Sequence, residues 1–344
     1  MRRILAGLAG SVLALVACTA PAGDDNPSTA TTLPTREQNA MGFTNPVHDR
    51  DFPDPAVISV DGTWFAYATN SRAGHMPALR SRDLVTWDPV GDAMPELAPW
   101  VTAGRTWAPE VAVHGPDRYV AYYTALGTDS GRQCIGRAVA SSPEGPFVDE
   151  SAEPLICQAD EGGSIDASPF TDTDGTRYLL WKNDGNAIGV DTWIYAQRLS
   201  PDGLTLTGAP VRLIKQDQAW EGALVEGPFL WLHDGRYYLF YSANDYGSDA
   251  YAVGYAVCDG PMGPCVKPSG SAAGPILTTT EDAAGPGHCV VVEKDGRTWM
   301  VHHAWPPDAV GSAVPGRTMW LTELTWDDGR PVLDGPRAEV PILP

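Results

Sequence analysis

The sequence predicts an all-β protein, a five-bladed β-propeller with about four antiparallel strands per blade. Three observations lead there. The chain carries Gly 36, Pro 31, Trp 12 and Tyr 12 in 344 residues, a composition that suits many short strands joined by turns better than helices. A turn followed by an alternating aromatic run occurs five times, with its Asp at 61, 117, 174, 234 and 295, spaced 56, 57, 60 and 61 residues apart. A fixed internal period marks a repeat architecture. The 3.6-residue apolar period of amphipathic helices is not found.

The blades follow in order. Asp61-Gly62-Thr63-Trp64-Phe65-Ala66-Tyr67 opens the first hairpin, and Ser81-Arg82-Asp83-Leu84-Val85-Thr86-Trp87 reads as its outer turn. Pro116-Asp117-Arg118-Tyr119-Val120-Ala121-Tyr122-Tyr123 does the same in blade two, with Ser141-Ser142-Pro143-Glu144-Gly145-Pro146-Phe147 outside it. Blade three has Asp174-Gly175-Thr176-Arg177-Tyr178-Leu179-Leu180-Trp181, blade four Asp234-Gly235-Arg236-Tyr237-Tyr238-Leu239-Phe240-Tyr241, and blade five Asp295-Gly296-Arg297-Thr298-Trp299-Met300-Val301-His302. Asp-Gly before alternating aromatics is a strong hairpin signal. At about 60 residues per unit the five blades fill residues 45–344.

What precedes them reads as an address. Arg2-Arg3 followed by the apolar stretch Ile4 to Ala17 is too short to span a bilayer and matches a signal peptide over residues 1–17. It ends Leu15-Val16-Ala17-Cys18, which resembles a bacterial lipobox, so Cys18 is expected to be lipidated. Residues 18–44, rich in Ser, Thr, Pro, Ala and Asp, read as a flexible tether. The expected location is outside the cytoplasm, lipid-anchored to the outer face of a bacterial cell membrane or secreted. There cysteines oxidise. Cys258 and Cys265 flank a turn-rich loop that a disulfide closes, Cys134 and Cys157 form the natural second pair, and Cys289 is left over. Membrane contact is expected only through Cys18. The formal net charge of −20 argues against nucleic acid or anionic lipid as a partner.

In a propeller the first strand of each blade lines the central channel. The stretches before the turns are Phe52-Pro53-Asp54-Pro55, Trp107-Ala108-Pro109-Glu110, Ile165-Asp166-Ala167-Ser168, Val225-Glu226-Gly227-Pro228 and Gly287-His288-Cys289. Their ionisable residues, Asp54, Glu110, Asp166, Glu226 and His288, precede the turn Asp by 7, 7, 8, 8 and 7. Matched offsets in matched blades predict four carboxylates and one His around one mouth of the channel. An Asp beside Pro is by itself most often a turn residue. Charges on otherwise apolar strands, however, are seldom buried without partners or purpose. Carboxylates that repel raise one another's pKa and so supply an acid and a base at one pH. A pair across an open channel suits glycoside hydrolysis, and a gap of about 6.5–9.5 Å admits the water of an inverting reaction. Trp100, Trp107, Trp220 and Trp305 are candidates for stacking on sugar faces or for packing between blades. No G-x-S-x-G, P-loop, Cys-x-x-Cys or His-Glu-x-x-His pattern competes.

These motifs, one per blade and in order, resemble glycoside hydrolase family 43, the five-bladed inverting arabinofuranosidases, arabinanases and xylosidases. The likeness spans nearly all of 45–344. It includes Asn45-Pro46-Val47, Gly285-Pro286-Gly287-His288, His302-His303-Ala304-Trp305 and Arg317. It implies that Asp54 is the general base, Glu226 the general acid, and Asp166 the residue that tunes and orients the acid. Trp107, Glu110, His288 and Arg317 would contact substrate, and His288 resembles a channel His that in many members holds a calcium or other ion on the axis. Glu110, Ala167 and the pair Cys289-Val290 depart from residues common in the family. The expected activity is an exo α-L-arabinofuranosidase on arabinose-containing oligosaccharide or cell-wall polysaccharide, from a monomer that requires no cofactor. β-Xylosidase, galactofuranosidase and endo-arabinanase are alternatives within the fold. A non-catalytic carbohydrate-binding propeller is the alternative of another class, and it predicts loss of the acid or base, whereas Asp54 and Glu226 are both present.

Overall fold

The computed structural model describes residues 42–341; the expected signal peptide and Cys18 lie outside them. Five antiparallel sheets follow one another along the chain, four with four strands and the second with three. The expected fourth strand of blade two is reduced to two isolated bridges, Val139 with Val148 and Ile135 with Ile156. Among the described residues, regular helix is limited to single 3₁₀ turns such as Ala159–Glu161 and Gly185–Ala187.

The first hairpin of each blade forms where the repeat places it. In blades one, four and five the turn residues Asp61-Gly62, Asp234-Gly235 and Asp295-Gly296 all take positive φ, the type I′ geometry whose twist matches that of paired strands. Strand Arg118–Gly127 shows how one run of apolar residues serves two seams. Tyr119, Ala121 and Tyr123 pack on blade one with Tyr67 and Ala78. Val120 and Tyr122, on the opposite face, pack on blade three with Leu179 and Trp181. Strand residues alternate faces, so a strand apolar on both faces belongs between two neighbours. Analogous clusters fill the seams between blades three and four, four and five, and five and one.

The ring is closed at the last seam. Phe43–Thr44 pairs with Glu339–Val340, which brings into the fold two residues expected in the tether. Asn45, buried, donates from Nδ2 to the carbonyls of Leu321 (3.0 Å) and Arg337 (2.9 Å) and accepts the Leu321 N–H at Oδ1 (2.9 Å). Three hydrogen bonds from one side chain thus tie the start of the propeller to blade five.

The cysteines pair as expected. Cys134–Cys157 braces blade two and Cys258–Cys265 closes the turn between the outer strands of blade four. Cys289 is free and buried, and burial pushes its thiol pKa up, so it behaves as a small core residue.

Candidate active site

The inner strands share a local distortion that aims the site. In each blade one residue at the channel mouth takes a left-handed φ: Asp54 (56°), Ala108 (40°), Asp166 (58°), Gly227 (54°) and His288 (49°). In blades two to five the pairing of the inner strand shifts register there, as at a β-bulge. Four non-glycine residues in this sparsely populated region mark a backbone held in place by its surroundings. The fifth is glycine for a reason of space as well, since a Cβ at Gly227 would lie 3.2 Å from His288 Nδ1.

This places the expected ring more finely than the offsets did. Asp54, Asp166 and His288 are true equivalents. Glu226 sits one residue before its bulge, and Glu110 two residues beyond its own. Offsets counted from the turn miss this because the hairpins differ in length.

A cavity of ≈ 620 Å³ opens at the bulges. Asp54, Asp166, Glu226, His288, Arg317 and Trp107 all line it. Glu110 does not: it is buried behind the wall, where Ser168 Oγ donates to its Oε2 (3.2 Å). Burial first, with a smaller push from Asp166, raises its pKa well above the ordinary value. Of the tryptophans weighed as sugar platforms, Trp107 reaches the cavity. Trp100 stacks on Tyr123 and Trp220 on Tyr241, both between strands. Trp305 is buried and donates Nε1–H to the Tyr246 carbonyl (2.7 Å), bracing a loop at the rim.

Asp54 is buried and fully engaged. Thr69 donates to Oδ2 at 2.6 Å, and Arg317 donates to Oδ1 at 2.7 Å. His288 Nδ1 lies 3.4 Å from Oδ1. Burial alone would raise its pKa, but the Arg317 guanidinium, followed by His288, outweighs it and holds the carboxyl well below the usual carboxylate range. Arg317 in turn lies over the exposed Tyr246 ring at 4.7 Å. The Asp54 N–H donates to His303 Nδ1 (3.2 Å). Burial and then Arg317 pull the His303 pKa down to about 3, so this imidazole is neutral and its Nδ1 is an acceptor.

Glu226 has the opposite bias. Tyr251 donates its hydroxyl to Oε1 at 2.7 Å, and the Lys182 ammonium lies 3.5 Å from Oε2. Burial is the main cause of its raised pKa; Lys182 opposes it and the Asp166 charge adds to it. Asp166 accepts the N–H of Gly227, the residue after the acid, at 2.9 Å, and its own pKa is raised by burial against the pull of His288 and Lys182. One cavity therefore carries a carboxylate held ionised and a carboxyl biased toward its protonated form, the division that acid–base chemistry needs.

Among the described residues no three His, Cys, Asp or Glu side chains converge as ion ligands. A hard cation takes six or more oxygen ligands, and His288 supplies one nitrogen already beside Asp54.

Sequence reasoning missed Thr69, Lys182, Tyr251 and His303. A signal for three of them existed. Thr69, Thr124, Lys182, Ser242 and His303 follow the turn Asp of their blades by 8, 7, 8, 8 and 8 residues, so the second strand repeats at the channel as the first does. Tyr251 arrives on an irregular segment and had none.

Comparison with known proteins identifies the family and the fold. Residues 43–331 match the family model described as glycosyl hydrolases family 43. The chain is 31% identical to an extracellular exo-α-(1→5)-L-arabinofuranosidase of Streptomyces chartreusis, over 74% of this chain and 80% of that one. It is 27% identical to a β-D-galactofuranosidase of Aspergillus niger over 75% of each. The crystal structure of a thermostable family-43 glycoside hydrolase superposes with a TM-score of 0.77 at 35% identity, covering 86% of this chain and 97% of that chain.

Proposed function

The chain belongs to glycosyl hydrolase family 43 and is a glycoside hydrolase, and from that premise we propose that it is an inverting, exo-acting α-L-arabinofuranosidase. Asp54 is the general base, Glu226 the general acid and Asp166 the residue that orients the acid's strand and tunes its proton. The observation that carries this reading is the opposed electrostatics of Asp54 and Glu226 in one cavity. Asp54 takes a proton from water as that water attacks the anomeric carbon. Glu226 gives its proton to the departing oxygen, so one water is split across the broken bond. The two groups come from blades one and four, two steps apart in a ring of five, which leaves room for water and sugar between them.

The sugar is argued from the relatives. Both curated relatives named above act on furanosides by their names, and the one with the higher identity is the exo-arabinofuranosidase. A β-D-galactofuranosidase is the second reading, favoured by the Aspergillus niger relative. Nitrophenyl arabinofuranoside, galactofuranoside and xyloside, compared by kcat/KM, separate them. NMR of the anomeric proton in the first minutes of turnover is expected to show inversion. Retention would overturn Asp54 as base.

We also propose export and anchoring through Cys18, with residues 1–17 removed. Two disulfides suit an oxidising compartment, and the Streptomyces chartreusis relative is named extracellular. In a bacterial host the wild-type chain is expected to take up a fatty-acid label that Cys18→Ala does not; a label carried equally by both disproves the anchor.

A further inference from the structure

The five second-strand residues at the channel form a belt that locks each blade to the next, and one of them breaks the pattern. Thr69 accepts the Ala108 N–H (2.8 Å), Thr124 the Asp166 N–H (3.1 Å), Ser242 the His288 N–H (2.7 Å) and His303 the Asp54 N–H (3.2 Å). Each accepted N–H belongs to the bulge residue of the following blade. At the seam between blades three and four the equivalent residue is Lys182. An ammonium has three donors and no acceptor, so it cannot take the Gly227 N–H, and that bond goes to Asp166 Oδ2 instead. The belt is rewired at the seam that holds Asp166 and Glu226.

A fully buried lysine in a slot that elsewhere holds Thr, Ser or His is costly unless its charge is used. Lys182 is 0% exposed. Its Nζ donates to Asn186 Oδ1 (2.7 Å) and lies 3.5 Å from Glu226 Oε2 and 3.9 Å from Asp184 Oδ1. It is absent from the cavity wall, so it does not touch a bound sugar. We propose that Lys182 is a positioning residue for Glu226. With Tyr251 on Oε1 it fixes the carboxyl from behind, and it stabilises the carboxylate left when the proton has gone to the departing oxygen.

The charged and titratable groups that face Glu226 come from every side: Lys182 on the second strand of blade three, Asp184 on the turn after it, Asp166 on the first strand of that blade, Tyr251 before the third strand of blade four, and His288 from blade five. Of these Lys182 is the cation nearest the acid, so removing it shifts the balance toward the protonated form. The rate falls on the alkaline side as the acid loses its proton, so that limb of the pH profile moves to higher pH.

This inference rests on Glu226 being the acid, and the two are tested apart. On α-1,5-arabinobiose, whose poor leaving group needs the proton, Glu226→Gln is expected to abolish turnover; retained turnover would remove Glu226 as acid. With that control in hand, Lys182→Met is expected to move the alkaline limb of kcat up by about one pH unit. It should lower kcat at the optimum roughly tenfold with little change in KM. In the Glu226→Ala background, read on nitrophenyl arabinofuranoside, Lys182→Met should cost nothing further. An unmoved limb, or costs that multiply in the double variant, overturns the proposal. Lys182→Thr restores the residue of blades one and two and should fold and show the same limb shift. Failure of both variants to fold would assign the ammonium to the architecture and overturn the proposal as well.

Discussion

Asp54→Ala is expected to lower kcat/KM by about a hundredfold or more on every glycoside the enzyme accepts, whatever the leaving group. The reason is the environment the fold builds for this carboxylate. Arg317 and Thr69 donate to it and His288 lies beside it, and they hold its pKa well below the ordinary value despite its burial. A base must be unprotonated to take a proton from water, and the neighbouring carboxyls Asp166, Asp184 and Glu226 are all shifted the other way. The acid limb of the pH profile should therefore lie well on the acid side and disappear with Asp54. Removing the side chain also strands the Arg317 guanidinium, so Asp54→Asn, which keeps the shape and can still bond Thr69, is the companion variant. Activity of Asp54→Asn within a few-fold of wild type would exclude Asp54 as the base.

Glu226→Ala should cost a similar factor, about a hundredfold or more, on an alkyl-linked sugar, and much less on an activated aryl glycoside. A nitrophenolate leaves without being protonated, whereas an alkoxide does not. The contrast between the two substrates separates this residue from Asp54, whose loss costs the same on both. The sign of the pH dependence follows from the raised pKa. Wild-type activity requires Glu226 protonated, so it is present below that pKa and lost as pH rises through it. In Glu226→Ala the alkaline limb on the aryl substrate should flatten. Equal losses on both leaving groups, with the alkaline limb unchanged, would disprove the assignment of the acid.

Part of the site was legible because the repeat is legible. Asp54, Asp166 and His288 sit at one structural position in their blades, and a count back from Asp61, Asp174 and Asp295 finds them. The count misplaces Glu110, which lies two residues past its bulge at Ala108 and is buried against Ser168 rather than open to the cavity. Bulges are invisible to offset counting because one inserted residue alters the count without altering the aromatic pattern. Arg317 was expected on the sugar; it reaches the cavity wall, but its guanidinium is engaged by Asp54. Trp100 and Trp220 show the same limit for aromatics. Alternation puts them on a strand face or loop edge, and only the neighbouring strand decides whether that surface meets Tyr123 and Tyr241 or a ligand.

The sequence by itself determined the number of blades, the hairpin at the core of each and the cysteine pairs. These are set by contacts near in the chain: Asp-Gly turns, period-two alternation and a short loop between Cys258 and Cys265. It also placed the acid and base candidates on the channel strands. The tertiary structure alone decided their charge states and partners. Arg317 is 263 residues from the Asp54 it pairs with, Lys182 is 44 from Glu226 and Tyr251 is 25 from it. A carboxyl's pKa responds to burial and to charges within a few ångströms. Those distances exist only once five blades have closed into a ring.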